Sequence, residues 1–254
     1  MEECISVFDM LKIGVGPSSS HTLGPWRAAE RFLSELRSEN LLASTEKVQV
    51  DLYGSLSLTG KGHATDLALL LGLSGQDPET IPVDEITTIT TQIQRQKSIR
   101  LGNEKSIPFF PESEIIFNKN GLRLALMIIT SSLLAGIVAA FLLGLPAKSG
   151  LMLSSGFGWY TLSSILNTSF IDHNFGACSF FIDFIREIIA IILIPSLGQR
   201  YPATFVAYSG ATAMDFSLPI IKQNLHEDCI LLAISSGMLL SVAVPILITL
   251  FAKL

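Results

Sequence analysis

"LALMIITSSLLAGIVAAFLLGLPA", from Leu124 to Ala147, runs for 24 residues without a charged side chain. A bilayer crossing takes roughly 20 apolar residues, so the stretch is long enough to span lipid. Cys229–Ala252 is a second uncharged run, again of 24 residues. Between them lie three more apolar stretches, at about 150–170, 176–197 and 203–221. Five such runs leave almost no polar surface for a water-soluble fold. They predict an all-α, multi-span membrane domain over residues 121–254.

The chain before them is of another kind. Residues 1–120 hold 11 Lys and Arg against 16 Asp and Glu, a net of −5, whereas residues 121–254 hold 6 of each. The acidity disfavours nucleic acid as a partner. Cys4, Cys178 and Cys229 are isolated thiols, with neither a disulfide framework nor a CxxC metal spacing, which suits a reducing cytosol for any soluble part. The opening "MEECISVFDM" lacks the basic n-region and long h-region of a secretory signal. Membrane entry then has to be directed by the internal segments.

Residues 1–120 read as a soluble α/β domain. "PWRAAERFLSELRSENLL" repeats apolar Trp26, Ala29, Phe32, Leu33 and Leu36 at a helical period. "EKVQVDLYGSL" alternates Val48, Val50 and Leu52 with polar neighbours, as a strand does. "TGKGHATDLALLLGL" opens on glycines and continues as a buried helix, and residues 81–100 predict a further helix weakened by a threonine run. "GVGPSSSHTLGP", Gly14 to Pro25, puts turn residues and hydroxyls ahead of a helix, where backbone N–H groups can hold a carboxylate or phosphate. It is neither a Walker loop nor GxGxxG. Its alternative is an ordinary Ser-rich cap and turn. His63 divides the same way, between a structural loop histidine and a functional one oriented by Asp66.

"SVFDMLKIGVGPSSSHTLGP" together with "VDLYGSLSLTGKGHATD" closely resembles the N-terminal β domain of bacterial iron–sulfur L-serine dehydratases, over roughly residues 4–117. That family deaminates L-serine to pyruvate and ammonia as an ammonia-lyase, with a 4Fe–4S cluster as Lewis acid in a separate catalytic domain. By position, the resemblance implies Ser18, Ser19, Ser20, His21 and His63 for the substrate-site region, working only with such a domain. After residue 120 the thiols are Cys178 and Cys229 alone, both amid apolar sequence. A cluster is held by a set of thiolates, so no cofactor and no metal are expected in this chain.

In the membrane part, "SGFGWYTLSSIL" and "YSGATAMDFSLP" place Gly, Ser, Thr and Pro inside apolar runs. Irregular backbone at membrane depth is tolerated where protein or a water cavity satisfies it, and broken helices commonly build midplane substrate sites. "FFIDFIREIIAIILIP" carries Asp183, Arg186 and Glu187 on one helical face. Arg186 is expected to neutralise Asp183 or Glu187 as a structural pair, Asp183 above all. Glu187 and Asp215 are expected to be desolvated carboxylates able to exchange protons. The aromatics of SGFGWY read as a functional cluster, an interfacial belt or plain packing.

"SGFGWYTLSSIL", "REIIAIILIP" and "GATAMDFSLPII" resemble the C-terminal half of the bacterial lysine-exporter family of inner-membrane proteins, over nearly all of residues 121–254. The resemblance implies export of L-lysine against protons, with membrane-embedded acids at Glu187 and Asp215. The whole chain therefore reads as a fusion-like join of two truncated proteins, with a cytoplasmic front domain and a partner set of lipid, small amino acids and protons. Three functions stay open: residual lysine export, an L-serine ammonia-lyase subunit borrowing a separately encoded catalytic domain, or a non-functional hybrid. The junction near Asn118–Asn120 has no Gly/Ser/Pro spacer.

Overall fold

A computed structural model describes residues 14–254. Cys4 and the "SVFDMLKI" half of the first motif lie outside the described residues. The chain separates into two compact units, 1–118 and 119–254.

In the first unit, a π-turn over Ser19–Leu23 leads into α1, Gly24–Ser38. Pro25, Trp26, Ala29 and Leu33 form the buried stripe of α1, while Phe32 stays 39% exposed. After β1 (Val50–Leu52) and α2 (Gly54–Thr59), a 3₁₀ turn at Gly60–His63 and a left-handed Ala64 introduce α3, Thr65–Leu73. Leu69, Leu70 and Leu73 of α3 share a core with Ala29 and Leu33 of α1. The threonine-rich run forms α4, Val83–Gln96, which stops at Lys97 with φ +51°. Residues 98–101 then turn extended instead of continuing the expected helix. They are β2 (Ser98–Leu101), paired antiparallel with β3, Lys105–Pro108. Gly102 and Asn103 both have positive φ at the hairpin tip, the requirement of a type I′ turn. A short α5 (Pro111–Glu114) precedes β4 (Ile115–Phe117), which lies parallel to β1 with Val50 opposite Ile115. This unit is α/β.

The second unit contains helices alone among its described residues. It has α6 (Asn120–Leu143), α7 (Ala147–Ser154), α8 (Tyr160–Phe170), α9 (His173–Leu197), α10 (Pro202–Ser209), α11 (Leu218–Asn224) and α12 (Glu227–Ala252). Of the five apolar runs, α6 and α12 are long and apolar enough to cross a membrane, with mean hydropathies of 2.5 and 2.3. The other three differ for two reasons. Residues 150–170 fall across α7 and α8, and residues 203–221 across α10 and α11, because each run is broken at its glycines. α9 is 25 residues long but carries Asp183, Arg186 and Glu187. Only 17% of the apolar window of α6 is buried. Leu134, Val138, Phe141 and Leu142 stand outward, so α6 is not a buried core helix of the soluble kind. Gly136 of α6 packs directly on Gly150 and Ser154 of α7, and Ser132 Oγ donates to the Ser154 carbonyl at 2.8 Å. Small residues commonly permit such close approach between helices in lipid.

Candidate functional site

Each unit gathers its chemistry-bearing residues at one place. In the first, the π-turn and the 3₁₀ turn bring His21 and His63 together, with ring centroids 5.0 Å apart and planes inclined at 37°. Two threonines strap the loops reciprocally. Thr22 Oγ1 donates to the His63 carbonyl at 2.8 Å, and Thr65 Oγ1 to the His21 carbonyl at 2.5 Å. Ser18 caps the turn, its Oγ accepting from His21 N at 3.3 Å, and lies 3.4 Å from Ser20 Oγ. Ser20 Oγ lies 2.8 Å from His21 Nδ1, and Nε2 of that ring is buried with no partner. Ser19 is exposed at the start of the turn.

The ring of His63 is not oriented by Asp66. His63 Nδ1 lies 3.0 Å from the Thr59 carbonyl, and Asp66 Oδ1 accepts from Leu67 N. The reason is local: Asp66 sits in the first turn of α3, where free N–H groups are the nearer donors. Sequence reasoning missed the strapping role of Thr22 and Thr65. The available signal was that both follow a histidine, as "HT" and "HAT".

In the second unit, the two broken runs meet. The first break, residues 155–159, joins α7 to α8; the second, residues 210–217, joins the Ser209 end of α10 to α11 through a 3₁₀ turn. Ala211 N donates to the Phe157 carbonyl at 2.8 Å, so the breaks bond to each other. The buried stripe of α9, Gly176, Ser179, Asp183, Glu187, Ala190 and Ile194, presents two acids at helical spacing. Asp183 is 3% exposed and accepts from Gly158 N and Ser163 Oγ, each at 2.8 Å.

Arg186 makes no ion pair within 4 Å with either acid, though its charge attracts Asp183 and, less strongly, Glu187. Its Nη2 donates to the Phe157 carbonyl at 2.5 Å and the Ser209 carbonyl at 3.1 Å. Among the described residues no ion pair forms in this unit within 4 Å. The Phe157 and Ser209 carbonyls, which also accept from Ala211 N and Thr212 Oγ1, are the acceptors within reach of this buried guanidinium. Glu187 is 2% exposed, and its Oε1 is buried without a hydrogen-bond partner. Asp215 is exposed, its carboxylate taking Phe216 N at 2.5 Å, so the expected desolvation applies to Glu187 and not to Asp215. Glu187, Asp215 and the Tyr160 hydroxyl lie within electrostatic range of one another. Of the SGFGWY aromatics, Phe157 is buried, Trp159 is 37% exposed, and Tyr160 packs edge-on against Phe180 and Phe184. Beside the breaks, a cavity of about 290 Å³ is lined by small residues of α6 and α7, with Asp183 and Arg186 in its wall.

The family description "Lysine exporter LysO" matches residues 96–252, more than half of the chain. The chain belongs to that family. A second description, "Serine dehydratase beta chain", matches residues 6–128. The two matches overlap over residues 96–128, and the division between the compact units falls inside the overlap. The lysine exporter LysO of Escherichia coli is 43% identical over 139 residues, 55% of this chain and 46% of that protein. A Haemophilus influenzae relative of the same part is 40% identical over 55% of this chain and 72% of its own length. The E. coli L-serine dehydratase TdcG is 45% identical over 47% of this chain and 28% of its own. The chain thus spans less than half of either E. coli relative, and its likeness to both is fusion-like.

The 4Fe–4S cluster implied by the dehydratase resemblance does not fit the described residues. Cys178 is exposed on α9, Cys229 is buried on α12, and no three His, Cys, Asp or Glu converge among them.

Proposed function

We propose that this chain works in a bacterial inner membrane as a transporter of small cationic amino acids, L-lysine first, exchanged for protons. The observation that carries the reading is Glu187. It is a carboxylate 2% exposed, with one oxygen unpartnered, beside two bonded helix breaks in a member of the lysine exporter family. A buried acid with no ion pair within 4 Å is a place for a travelling ammonium or proton. Asp215, exposed on the second break, is the matching outer acid. In this reading residues 121–254 are a multi-span, lysine-exporter-like domain. α6, α9 and α12 cross the lipid, and α7–α8 and α10–α11 cross as broken spans. Residues 1–120 are a serine dehydratase β-like domain on the cytoplasmic side.

The test is lysine counterflow in proteoliposomes holding the full chain, against Glu187→Gln and Asp215→Asn. A carboxylate–ammonium contact is worth about 1.5–3 kcal/mol, so Glu187→Gln should slow transport by roughly ten- to a hundredfold. Wild type no faster than empty liposomes would overturn the reading and leave a non-functional hybrid.

A second reading is favoured by the strapped histidine pair. The first unit serves as an L-serine ammonia-lyase subunit, with Ser18, Ser19, Ser20, His21 and His63 facing substrate beside an iron–sulfur catalytic domain on another chain. Pyruvate formed from serine on mixing with such a domain supports it, and its absence overturns it.

A further inference from the structure

We propose that Asp183 and Arg186 are positioning residues forming a clasp, which fastens the two helix breaks to α9 and to each other. Each break leaves backbone groups that lipid cannot satisfy, and the two side chains answer them by sign. The carboxylate takes an amide, Gly158 N, together with the Ser163 hydroxyl. The guanidinium takes two carbonyls, Phe157 O on one break and Ser209 O on the other. Phe157 O also accepts from Ala211 N, so both its lone pairs are used and the three segments meet at that oxygen.

The glycines of the breaks are shaped to the clasp. A Cβ on Gly158, which has φ +97°, would lie 2.6 Å from Arg186 Nη2. One on Gly210, at φ +65°, would collide with the same nitrogen and the Phe157 carbonyl, and one on Gly156 with the Asp183 carboxylate. The pattern S-G-F-G, D-x-x-R, S-G is therefore one device spread over three segments. Its consequence concerns the neighbour. With its Nη2 committed to backbone and its Nε buried without a partner, Arg186 makes no ion pair within 4 Å of Glu187, one residue along α9, and reaches it only as a nearby charge. That consequence rests on the transport reading; the clasp does not.

Hydrogen–deuterium exchange of the full chain in lipid nanodiscs tests it directly. Arg186→Gln should speed exchange about tenfold in peptides covering both breaks, residues 155–163 and 207–217, the factor carried by about 1.4 kcal/mol. Asp183→Asn should loosen the first break alone, and Glu187→Gln neither. α6 and α12 should stay protected throughout. Loosening of one break or none in Arg186→Gln, or the same pattern in Glu187→Gln, overturns the clasp. Should Arg186→Gln fail to fold, Arg186→Lys decides instead, since it keeps the charge but replaces the planar fork with a shorter, single ammonium. Faster exchange in both breaks supports the clasp, and faster exchange in one break or in none overturns it. Lysine transport that depends on Glu187 without this exchange pattern would leave the transport reading standing and remove the clasp. The pattern without transport would do the reverse.

Discussion

The two units meet one problem, a polar turn ahead of a helix, with different side chains, and on the proposed transport reading they do so in opposite media. In the first, the π-turn at Ser19–Leu23 and the 3₁₀ turn at Gly60–His63 are joined by neutral hydroxyls, Thr22 and Thr65, each on the other loop's carbonyl. The ionisable groups there, His21 and His63, are partly exposed. In the second unit the breaks are joined by full charges, Asp183 and Arg186, with Asp183 only 3% exposed. The straps are themselves buried, yet neutral hydroxyls join those loops, whose histidines reach water. At the helix breaks the Phe157 and Ser209 carbonyls take a guanidinium in addition to Ala211 N and Thr212 Oγ1. On the proposed membrane reading, what distinguishes the units is how much unsatisfied backbone the medium tolerates.

The largest effect that could break this comparison is partition itself. Carbonate extraction of membranes holding the full chain should leave essentially all of it in the pellet, because α6 turns Leu134, Val138, Phe141 and Leu142 outward. A 24-residue helix spans about 36 Å at roughly 1.5 Å per residue, enough for a hydrocarbon core of about 30 Å. Release as a soluble monomer would mean that both units share one medium, and the contrast between them would lose its cause.

How far the sequence reaches differs between the units for a related reason. The helices of the first unit follow from periodicity, because one face meets water and the other the core. Trp26, Ala29 and Leu33 are buried as expected, and Phe32 falls at the edge of the stripe. The helix expected over 81–100 loses its last turn because Lys97 adopts φ +51° to start a hairpin, a tertiary choice that local propensity does not encode. In the second unit the breaks are legible as glycines within apolar runs. The partners of Arg186 are not, since its acceptors lie 29 and 23 residues away and are backbone atoms that carry no sequence signal. Charge pairing by i,i+3 spacing is the reading such a sequence invites, and long-range backbone demand overrides it. Glu187 is readable from its neighbours in "REII", whereas its unpartnered oxygen follows only once Arg186 is committed elsewhere.

A smaller effect sharpens the first unit's side of the contrast. Thr65→Val keeps shape and removes the hydroxyl that reaches the His21 carbonyl. The loss should be about 0.5–1.5 kcal/mol, read as faster exchange of the α3 amides in the full chain. Thr22→Val should cost a similar amount, and the double variant less than the sum, because both hydroxyls brace one pair of loops. Thr22 and Thr65 are 4% and 0% exposed, as buried as Asp183, so a loss near ~4 kcal/mol or more would mean that neutral hydroxyls hold their loops as strongly as the charges hold the breaks, and would erase the distinction.

The smallest effect concerns charges that water already serves. Arg27 contacts Glu30 at 2.8 Å, Glu79 at 2.5 Å and Asp77 at 3.5 Å, with its side chain 43% exposed. The Glu30 hydrogen bond, opposed by burial and helped by the attraction of Glu30, Glu79 and Asp77, holds its guanidinium above the ordinary value. A raised pKa of a base stabilises the fold at every pH below the unfolded value and is lost only above it. This arginine therefore adds no pH dependence near neutrality. Exposed pairs are worth about 0.2–1 kcal/mol each at most, so Arg27→Ala should change α3 exchange by little more than a few-fold. The neighbouring Trp26→Ala removes a side chain 1% exposed, whose Nε1 donates to the Gln76 carbonyl at 2.7 Å. That variant should cost about 3–5 kcal/mol. Adjacent residues of α1 thus separate burial from charge within one unit. If Arg27→Ala matched Trp26→Ala, surface ion pairs here would carry the weight that only the buried charges of the second unit are argued to carry.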